Sequence, residues 1–214
     1  MEPSPSPDPA AERLAPPDAD RLFVMADAAI RAGLQGHDAP TVDEAALPPA
    51  LTGRHGAFVT LEVAGQLNGC IGALDPTEPL GVVVPGLAWR AAFADPRLPA
   101  LTAADYDDLD IELSVLGPLA PIPARSKAEV IARLRPGVDG LVIAAGARRA
   151  TFLPAVWEKV ADAEAFVHHL QAKAGLPVDR WMPDTRAWRY TVAEYHRSTR
   201  ELRRPTGPDP SAAA

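Results

Sequence analysis

A β-hairpin is predicted in residues 57–74, which read AFVTLEVAGQLNGCIGAL. From Ala57 to Val63 every second residue falls on one apolar face, the period-two pattern of a half-buried strand. Ala64-Gly65 is a turn signal, and a second alternating run from Gln66 to Leu74 returns from it. The sequence therefore predicts an antiparallel hairpin over these residues.

The flanking segments predict further helices and strands. Helices are expected from Asp20 to near Gly36, over residues 80–94, from Ser126 to Pro136 and from Asp162 to Lys173. Pro85-Gly86 must start, kink or divide the second of these helices. Strands are expected over Leu109–Val115, in a hairpin around Gly146 and over Trp188–Val192. This order lacks a regular βαβ repeat, so the predicted class is α+β, with a mainly antiparallel sheet flanked by helices.

Length and proline content define the predicted organisation of the chain. Its 214 residues suffice for one domain, and six of its 24 prolines lie within residues 1–20. Residues 1–19 and 198–214 have the composition of disordered tails, because they offer too little apolar surface to offset the entropy of ordering. The folded domain is predicted over residues 20–197.

Charge and cysteine content exclude several classes of protein. The chain has 21 basic and 28 acidic residues and a formal net charge of −7, so general nucleic-acid binding is not expected. The single cysteine excludes an internal disulfide and fits a reducing compartment. No apolar run is long enough to span a membrane, and the N-terminal residues do not resemble a signal peptide. The chain is therefore predicted to be cytoplasmic.

Common cofactor and metal motifs are absent from the sequence. There is no phosphate loop, no Gly-x-Ser-x-Gly elbow and no dinucleotide fingerprint, so no cofactor is predicted. The acidic run Asp105–Glu112 is not a calcium loop, because Asp110 and Leu116 stand where such a loop needs glycine and glutamate. No metal site is predicted.

Cys70 is the main candidate for chemistry, since it stands between Gly69 and Gly72 on the predicted second strand. One interpretation is a small cysteine in a closely packed strand. The other is that the glycines expose the backbone and the sulfur to a ligand or peptide. Reactivity would require a nearby cation or histidine, and His55 and His196 are both candidate bases.

Asp95-Pro96-Arg97 is expected to organise the turn after the helix over residues 80–94. Pro96 prevents the helix from continuing. An aspartate at the C-terminal end of a helix needs a cation or backbone donors to offset the helix dipole. A structural role for Asp95 and Arg97 is therefore favoured over contact with a ligand.

Several blocks of sequence together resemble the AMMECR-one domain family, whose bacterial members are called AmmeMemoRadiSam system protein A. The resemblance covers residues 20–196. Its blocks are GAFVTL (56–61), LNGCIG (67–72), AAFADPRLP (91–99), LDIELSVL (109–116), GVDGL (137–141), FLPAVW (152–157) and KAGLP (173–177).

This resemblance implies a fold with one larger and one smaller lobe and a cleft between them, near the segment around Cys70. It also implies a pathway shared with a Memo-type protein and a radical S-adenosylmethionine enzyme as partners. The family usually has arginine where this chain has Asn68. The loss of that cation weakens the expectation of an anionic ligand or an activated thiolate, unless Arg54 or Arg97 replaces it.

Two functions follow from these observations. The favoured one is a binding module for a small molecule or partner segment. The alternative is an accessory enzyme with Cys70 as nucleophile or covalent handle and His55 as base. The expected binding residues are Arg54, Asn68, Gly69, Ile71, Gly72 and Arg97.

Overall fold

The computed structural model describes residues 13–203, and it contains two four-stranded, largely antiparallel sheets with helices packed against them. The predicted α+β class is confirmed. The chain divides into two compact units. The described part of the first contains residues 14–115 and 194–203, and that of the second contains residues 13 and 116–193. In chain order the elements are α1 (Pro16–Leu34), β1 (Ala57–Val63), β2 (Gln66–Ala73), α2 (Leu80–Phe93), β3 (Leu109–Leu116), β4 (Ala120–Ile122), α3 (Lys127–Ile131), β5 (Gly140–Ala145), β6 (Arg148–Phe152), α4 (Ala163–Lys173), β7 (Arg186–Tyr190), β8 (Val192–Ser198) and α5 (Thr199–Leu202).

The first unit is built on the sheet β2-β1-β3-β8, in which β2 is an edge strand. Helix α2 packs against α1, β1 and β2. Val59 and Leu61 of β1 are fully buried in one apolar cluster with Phe23 of α1 and Val84 of α2. The alternation seen in the sequence thus separates a core face of the sheet from a polar face.

The hairpin β1–β2 has the predicted turn, because Ala64 and Gly65 both adopt positive φ angles of 49° and 76°. A register shift in β2 was not predicted. Leu61 pairs with Gly69 but Glu62 pairs with Leu67, so Asn68 has no partner residue in β1. This bulge interrupts strict alternation, and alternation therefore does not place Asn68 on the same face as Cys70.

Helix α2 continues through Pro85 as a single helix. Pro85 cannot donate a backbone hydrogen bond, yet the helix is buried on most sides and its first turn is held by the N–H groups of Val82 and Val83, which donate to the Pro79 carbonyl. Packing against the sheet and α1 thus outweighs the helix-breaking tendency of proline.

The folded region extends beyond the predicted boundaries at both ends. Helix α1 begins at Pro16, not Asp20, because proline is well accommodated in the first turn of a helix. At the other end, Ser198 and Glu201 form a capping box that starts α5. The rest of the predicted tails, residues 1–12 and 204–214, lies outside the described residues.

The second unit is built on the sheet β4-β7-β5-β6. Leu141 and Ile143 of β5 pack with Phe166 and Leu170 of α4 in its apolar cluster. The predicted α4 is confirmed. The Asp162 side chain caps it by accepting a hydrogen bond from the Ala165 N–H at 2.8 Å, which gives that backbone donor the acceptor it lacks within the helix.

Two predictions for the second unit need correction. The helix that follows Ser126 ends at Ile131, five residues before Pro136. The single strand expected over Trp188–Val192 is two strands, β7 and β8, which belong to different sheets. Within residues 13–203 no helix combines the length and the apolar character needed to cross a membrane.

Candidate functional site

Cys70 is held at the open edge of β2 by side chains from the turn after α2. The Cys70 N–H donates to Asp95 Oδ2 at 3.0 Å, and the Cys70 carbonyl accepts from Arg97 Nη2 at 2.7 Å. Because β2 has a neighbouring strand on only one side, the second set of backbone groups would otherwise lack a protein partner. Asp95 and Arg97 therefore fix the backbone of Cys70 on both its donor and its acceptor.

The same two side chains form a bidentate ion pair. Arg97 Nε lies 2.9 Å from Asp95 Oδ1, and Arg97 Nη2 lies 2.6 Å from Asp95 Oδ2. The Arg97 N–H also donates to Asp95 Oδ1, which closes the turn around Pro96. This confirms the prediction that Asp95 and Arg97 organise the turn.

The electrostatics of the pair follow from these contacts. Hydrogen bonds from Arg97 lower the pKa of Asp95 far below its ordinary value; burial opposes this effect, and the N–H groups of Cys70 and Arg97 add to it. The pKa of Arg97 is raised, first by its hydrogen bonds to Asp95 against the effect of desolvation, and further by the Asp95 charge and the Cys70 side chain. The guanidinium is thus bound to the Asp95 carboxylate and to the Cys70 carbonyl.

The Cys70 thiol lies on the polar face of the sheet and is partly buried. Its direct neighbour is Thr60, the residue opposite it on β1, whose Oγ1 donates to Cys70 Sγ at 3.4 Å. The thiol therefore has a hydroxyl donor on one side and a guanidinium nearby.

His55 and Arg54 do not join this arrangement. Among residues 13–203 no hydrogen bond connects His55 to Cys70, and the His55 ring lies so close to Gly53 that a Cβ added there would be 2.5 Å from its Nε2. Arg54 donates from Nε to the Thr77 carbonyl at 2.6 Å. Of the two arginines considered as replacements for the missing cation, Arg97 is the one beside Cys70.

Gly69 and Gly72 on β2 do not leave open space, because atoms of neighbouring residues occupy the volume that a side chain would take. A Cβ on Gly69 would lie 2.0 Å from the Ala91 carbonyl oxygen of α2, and one on Gly72 would lie 2.1 Å from the Phe58 ring. Ile71 packs against the apolar core cluster. These three positions therefore serve close packing in the structure, the first of the two interpretations offered for the glycines.

Asn68 differs from these positions because its Oδ1 is buried without a hydrogen-bond partner among the described atoms. It occupies the bulge next to Cys70. The Asn68 side-chain oxygen is therefore available to accept a hydrogen bond from a donor.

A row of polar residues crosses the sheet from Cys70. Thr60 pairs with Cys70 on one side and with Glu112 of β3 on the other, and His196 Nδ1 lies 3.8 Å from Glu112 Oε2. Burial raises the pKa of Glu112, an effect that the charge of His196 opposes. The sequence identified His196 as a candidate base but missed Thr60 and Glu112, because alternation gives the face of a residue and not its cross-strand partner.

The chemistry available at this site is that of a positioned thiol, hydroxyl and guanidinium. His196 is separated from Cys70 by two strands, about 14 Å across the sheet at the usual strand spacing, so it is not placed to take a proton from the sulfur directly. Within the described residues no group of three or more His, Cys, Asp or Glu side chains is arranged to hold a metal ion.

The chain is similar in sequence and in fold to several archaeal and bacterial proteins. A protein of Methanothermobacter thermautotrophicus is 41% identical over 152 residues, which cover 70% of this chain and 79% of that protein. A Thermotoga maritima protein is 37% identical over 144 residues, which cover 66% of this chain and 78% of the relative. The crystal structure of uncharacterized protein PH0010 from Pyrococcus horikoshii has a TM-score of 0.78 and 30% sequence identity, covering 90% of this chain and 96% of that chain.

The match to a family spans most of the chain. The AMMECR1 family model aligns with residues 23–195, which include β1 to β7, the turn at Asp95 and the first half of β8. This is the AMMECR-one domain family that the motifs around Cys70 resemble. On this alignment, the chain belongs to the AMMECR1 family.

Proposed function

We propose that this chain is a cytoplasmic binding module for a small molecule or a partner segment that carries an acidic group. The ligand would lie against the Cys70–Arg97 surface, defined here as the solvent-facing atoms of Thr60, Cys70 and Arg97. The proposal also places the chain in a pathway with a Memo-type protein and a radical S-adenosylmethionine enzyme, and family membership supports that part.

The observation that carries the proposal is that Arg97 is both held in place and accessible. Its Nε and Nη2 are bound by Asp95 and by the Cys70 carbonyl, yet 61% of the side chain is exposed. Arg97 Nη1 is used by neither of these partners. A guanidinium held in one orientation loses little entropy when it binds a carboxylate or phosphate, and this favours recognition of an acidic group.

The absence of a base beside the sulfur favours binding over catalysis. A nucleophilic thiol is usually activated by an adjacent imidazole, and within the described residues neither His55 nor His196 makes a hydrogen bond to Cys70. The Asp95 carboxylate is occupied by Arg97 and by the Cys70 N–H, so it is not available as a base.

Thermal unfolding of the full chain with a panel of carboxylates, phosphate esters and short acidic peptides tests the binding function. A compound that binds the folded state raises Tm by mass action. We expect the rise to disappear in Arg97→Met and to weaken in Arg97→Lys, which keeps the charge and loses the planar fork. Arg21→Met, an exposed arginine on α1, is the control and should retain the full rise.

Each protein is compared with its own ligand-free Tm, so any loss of stability in the Arg97 variants does not mimic loss of binding. If no acidic compound raises Tm, or if Arg97→Met keeps the whole rise, the Cys70–Arg97 surface is not the binding site.

One observation favours the second candidate, an accessory enzyme with Cys70 as nucleophile. The Cys70 sulfur accepts a hydrogen bond from the Thr60 hydroxyl, and the Cys70 carbonyl accepts one from the Arg97 guanidinium. Reactive cysteines are typically found in polar surroundings with a cation nearby. Alkylation by iodoacetamide at pH 7 separates the two functions. The binding module predicts a rate for Cys70 below that of a free-thiol peptide, and a faster rate would favour the enzyme.

A further inference from the structure

The second unit contains a cavity that is separate from the Cys70–Arg97 surface. It has a volume of about 530 Å3 and lies at the hairpin end of β5 and β6, beside β7. Cavities that hold small molecules commonly measure about 300–1,000 Å3, so this one has a suitable size. Its lining includes Ala144, Arg149, Asp184, Arg186 and Trp188.

The strand register places two arginines on either side of a small residue. Ala144 of β5 pairs with Arg149 of β6 and with Arg186 of β7, so the three residues form one row on one face of the sheet. Adjacent strands lie about 4.8 Å apart, which puts the two arginine backbones about 10 Å from each other with Ala144 between them. Both arginines line the cavity, with the small side chain of Ala144 between them.

The two arginines are exposed, and one of them has no protein partner. Within residues 13–203 the Arg186 guanidinium makes no hydrogen bond or ion pair. Arginine is favoured where a protein recognises phosphate, because its planar fork matches two phosphate oxygens at once. In a chain with a net charge of −7, two exposed cations on the wall of one cavity indicate an anionic ligand.

Trp188 adds an aromatic surface to the same cavity. It follows Arg186 by two residues on β7 and therefore shares its face, and its side chain is half-buried. A fixed indole is a platform on which a flat ring can stack, and Asp184 adds an acceptor for an N–H group on such a ring.

We propose that this cavity binds a small molecule that joins a phosphate to a flat nitrogen-containing ring, the chemistry of a nucleoside monophosphate. Arg149 and Arg186 bind the phosphate, Trp188 stacks on the ring, and Asp184 accepts a hydrogen bond from it. The site is independent of the Cys70–Arg97 surface, since no residue is common to the two.

Isothermal titration calorimetry of the full chain with AMP, adenosine and inorganic phosphate tests this proposal. AMP should bind saturably and more tightly than either half-ligand. Arg149→Met and Arg186→Met should each weaken AMP binding about tenfold or more, which is the usual effect of losing a charged partner. Trp188→Leu should weaken AMP more than phosphate, because only AMP has a ring to stack.

The matched control is Arg148→Met. Arg148 is adjacent to Arg149 in the chain but pairs with buried Ala145, so it lies on the opposite face of β6, where its Nη1 donates to the Gly175 carbonyl at 2.8 Å. This variant should bind AMP as the wild type does. The proposal is overturned if AMP does not bind, if phosphate binds as tightly as AMP, or if Arg148→Met loses as much affinity as Arg149→Met. Circular dichroism of each variant checks that it is folded.

Discussion

Asp95 is the buried charge on which the geometry around Cys70 depends. Its side chain is only 2% exposed, and it accepts hydrogen bonds from the Arg97 side chain and from two backbone N–H groups. A buried carboxylate is tolerated when its oxygens are satisfied in this way. Removing the charge leaves those donors with a weaker acceptor.

We expect Asp95→Asn to lower the free energy of unfolding by about 2 kcal/mol, because an amide has only one acceptor oxygen. Its NH2 group must stand where one carboxylate oxygen accepts two hydrogen bonds, either from Arg97 Nε and the Arg97 backbone N–H or from Arg97 Nη2 and the Cys70 N–H. Denaturant unfolding at pH 7 measures the loss. Asp20→Asn is the control, since Asp20 forms a surface ion pair with Arg197 at 2.7 Å, and it should cost less than about 1 kcal/mol.

The difference in unfolding free energy between wild type and Asp95→Asn should decrease as the pH falls. The folded-state pKa of Asp95 lies below its unfolded value of 3.8, so the stabilisation is fully present above that value. It is lost as the pH falls below 3.8 and on through the folded-state pKa. The gap in stability between wild type and Asp95→Asn should therefore narrow from pH 6 to pH 3, and a gap that stays constant or widens would contradict the assigned role.

Some residues of the site could be found from the sequence and others could not. Cys70 and Arg97 were identifiable because each stands in a distinctive local motif, and the Asp95-Pro96-Arg97 turn follows from helix termination. The contact of Asp95 with the Cys70 N–H joins residues 25 positions apart, and it depends on where α2 packs over the sheet. Local pattern carries no information on that placement.

Gly69 and Gly86 differ in the space that their surroundings leave for a side chain. Gly69 on β2 lies directly against the backbone of α2 at Ala91, whereas Gly86 lies within α2 and an added Cβ there would meet nothing within 4 Å. Backbone cannot move aside as easily as a side chain, so the first position tolerates no larger residue.

The same substitution should therefore have opposite effects at the two sites. Gly69→Ala should destabilise the chain by more than about 2 kcal/mol through overpacking. Gly86→Ala should stabilise it by about 0.5–1 kcal/mol, because alanine loses less backbone entropy in a helix. Denaturant midpoints for the two variants measure this directly, and a neutral Gly69→Ala would mean that α2 does not approach β2 as described.

The sequence predicts the bounds of strands whose apolar residues alternate regularly, but not the bounds of elements that depend on packing against the rest of the chain. The bounds of β1 match the alternating run from Ala57 to Val63 because one face is buried and the other is polar. The bulge at Asn68 and the short strand β4 left no periodic trace, since each involves only one to three residues. The start of α1 was misplaced because Asp20 is a good capping residue, while the actual first turn uses prolines.

The two ends of the first unit are joined to each other within the folded molecule. The Leu14 N–H donates to Tyr195 Oη at 2.7 Å, and Thr199 Oγ1 donates to the Tyr106 carbonyl at 2.7 Å. Ala19 and Thr199 are buried. Composition marks these segments as tails, but a few specific contacts hold them to the core.

A pair of truncations measures the contribution of these contacts. A chain of residues 20–197 should unfold at a Tm about 5 °C or more below that of a chain of residues 13–203, since it loses the first turn of α1, the capping box and both long-range hydrogen bonds. Equal Tm values would mean that residues 13–19 and 198–203 add nothing to stability and that the folded domain is the predicted 20–197.

The way in which Asp95 and Arg97 engage Cys70 also bears on how copies of the chain meet one another. An edge strand with free N–H and C=O groups is a template for edge-to-edge pairing and aggregation. On β2 the outward donor and acceptor of Cys70 are already bound to a carboxylate and a guanidinium of the same chain. A strand from a second molecule cannot extend a hydrogen-bonded ladder through this residue without displacing the Asp95–Arg97 ion pair. The ion pair therefore both positions β2 and opposes its pairing with a strand of another copy.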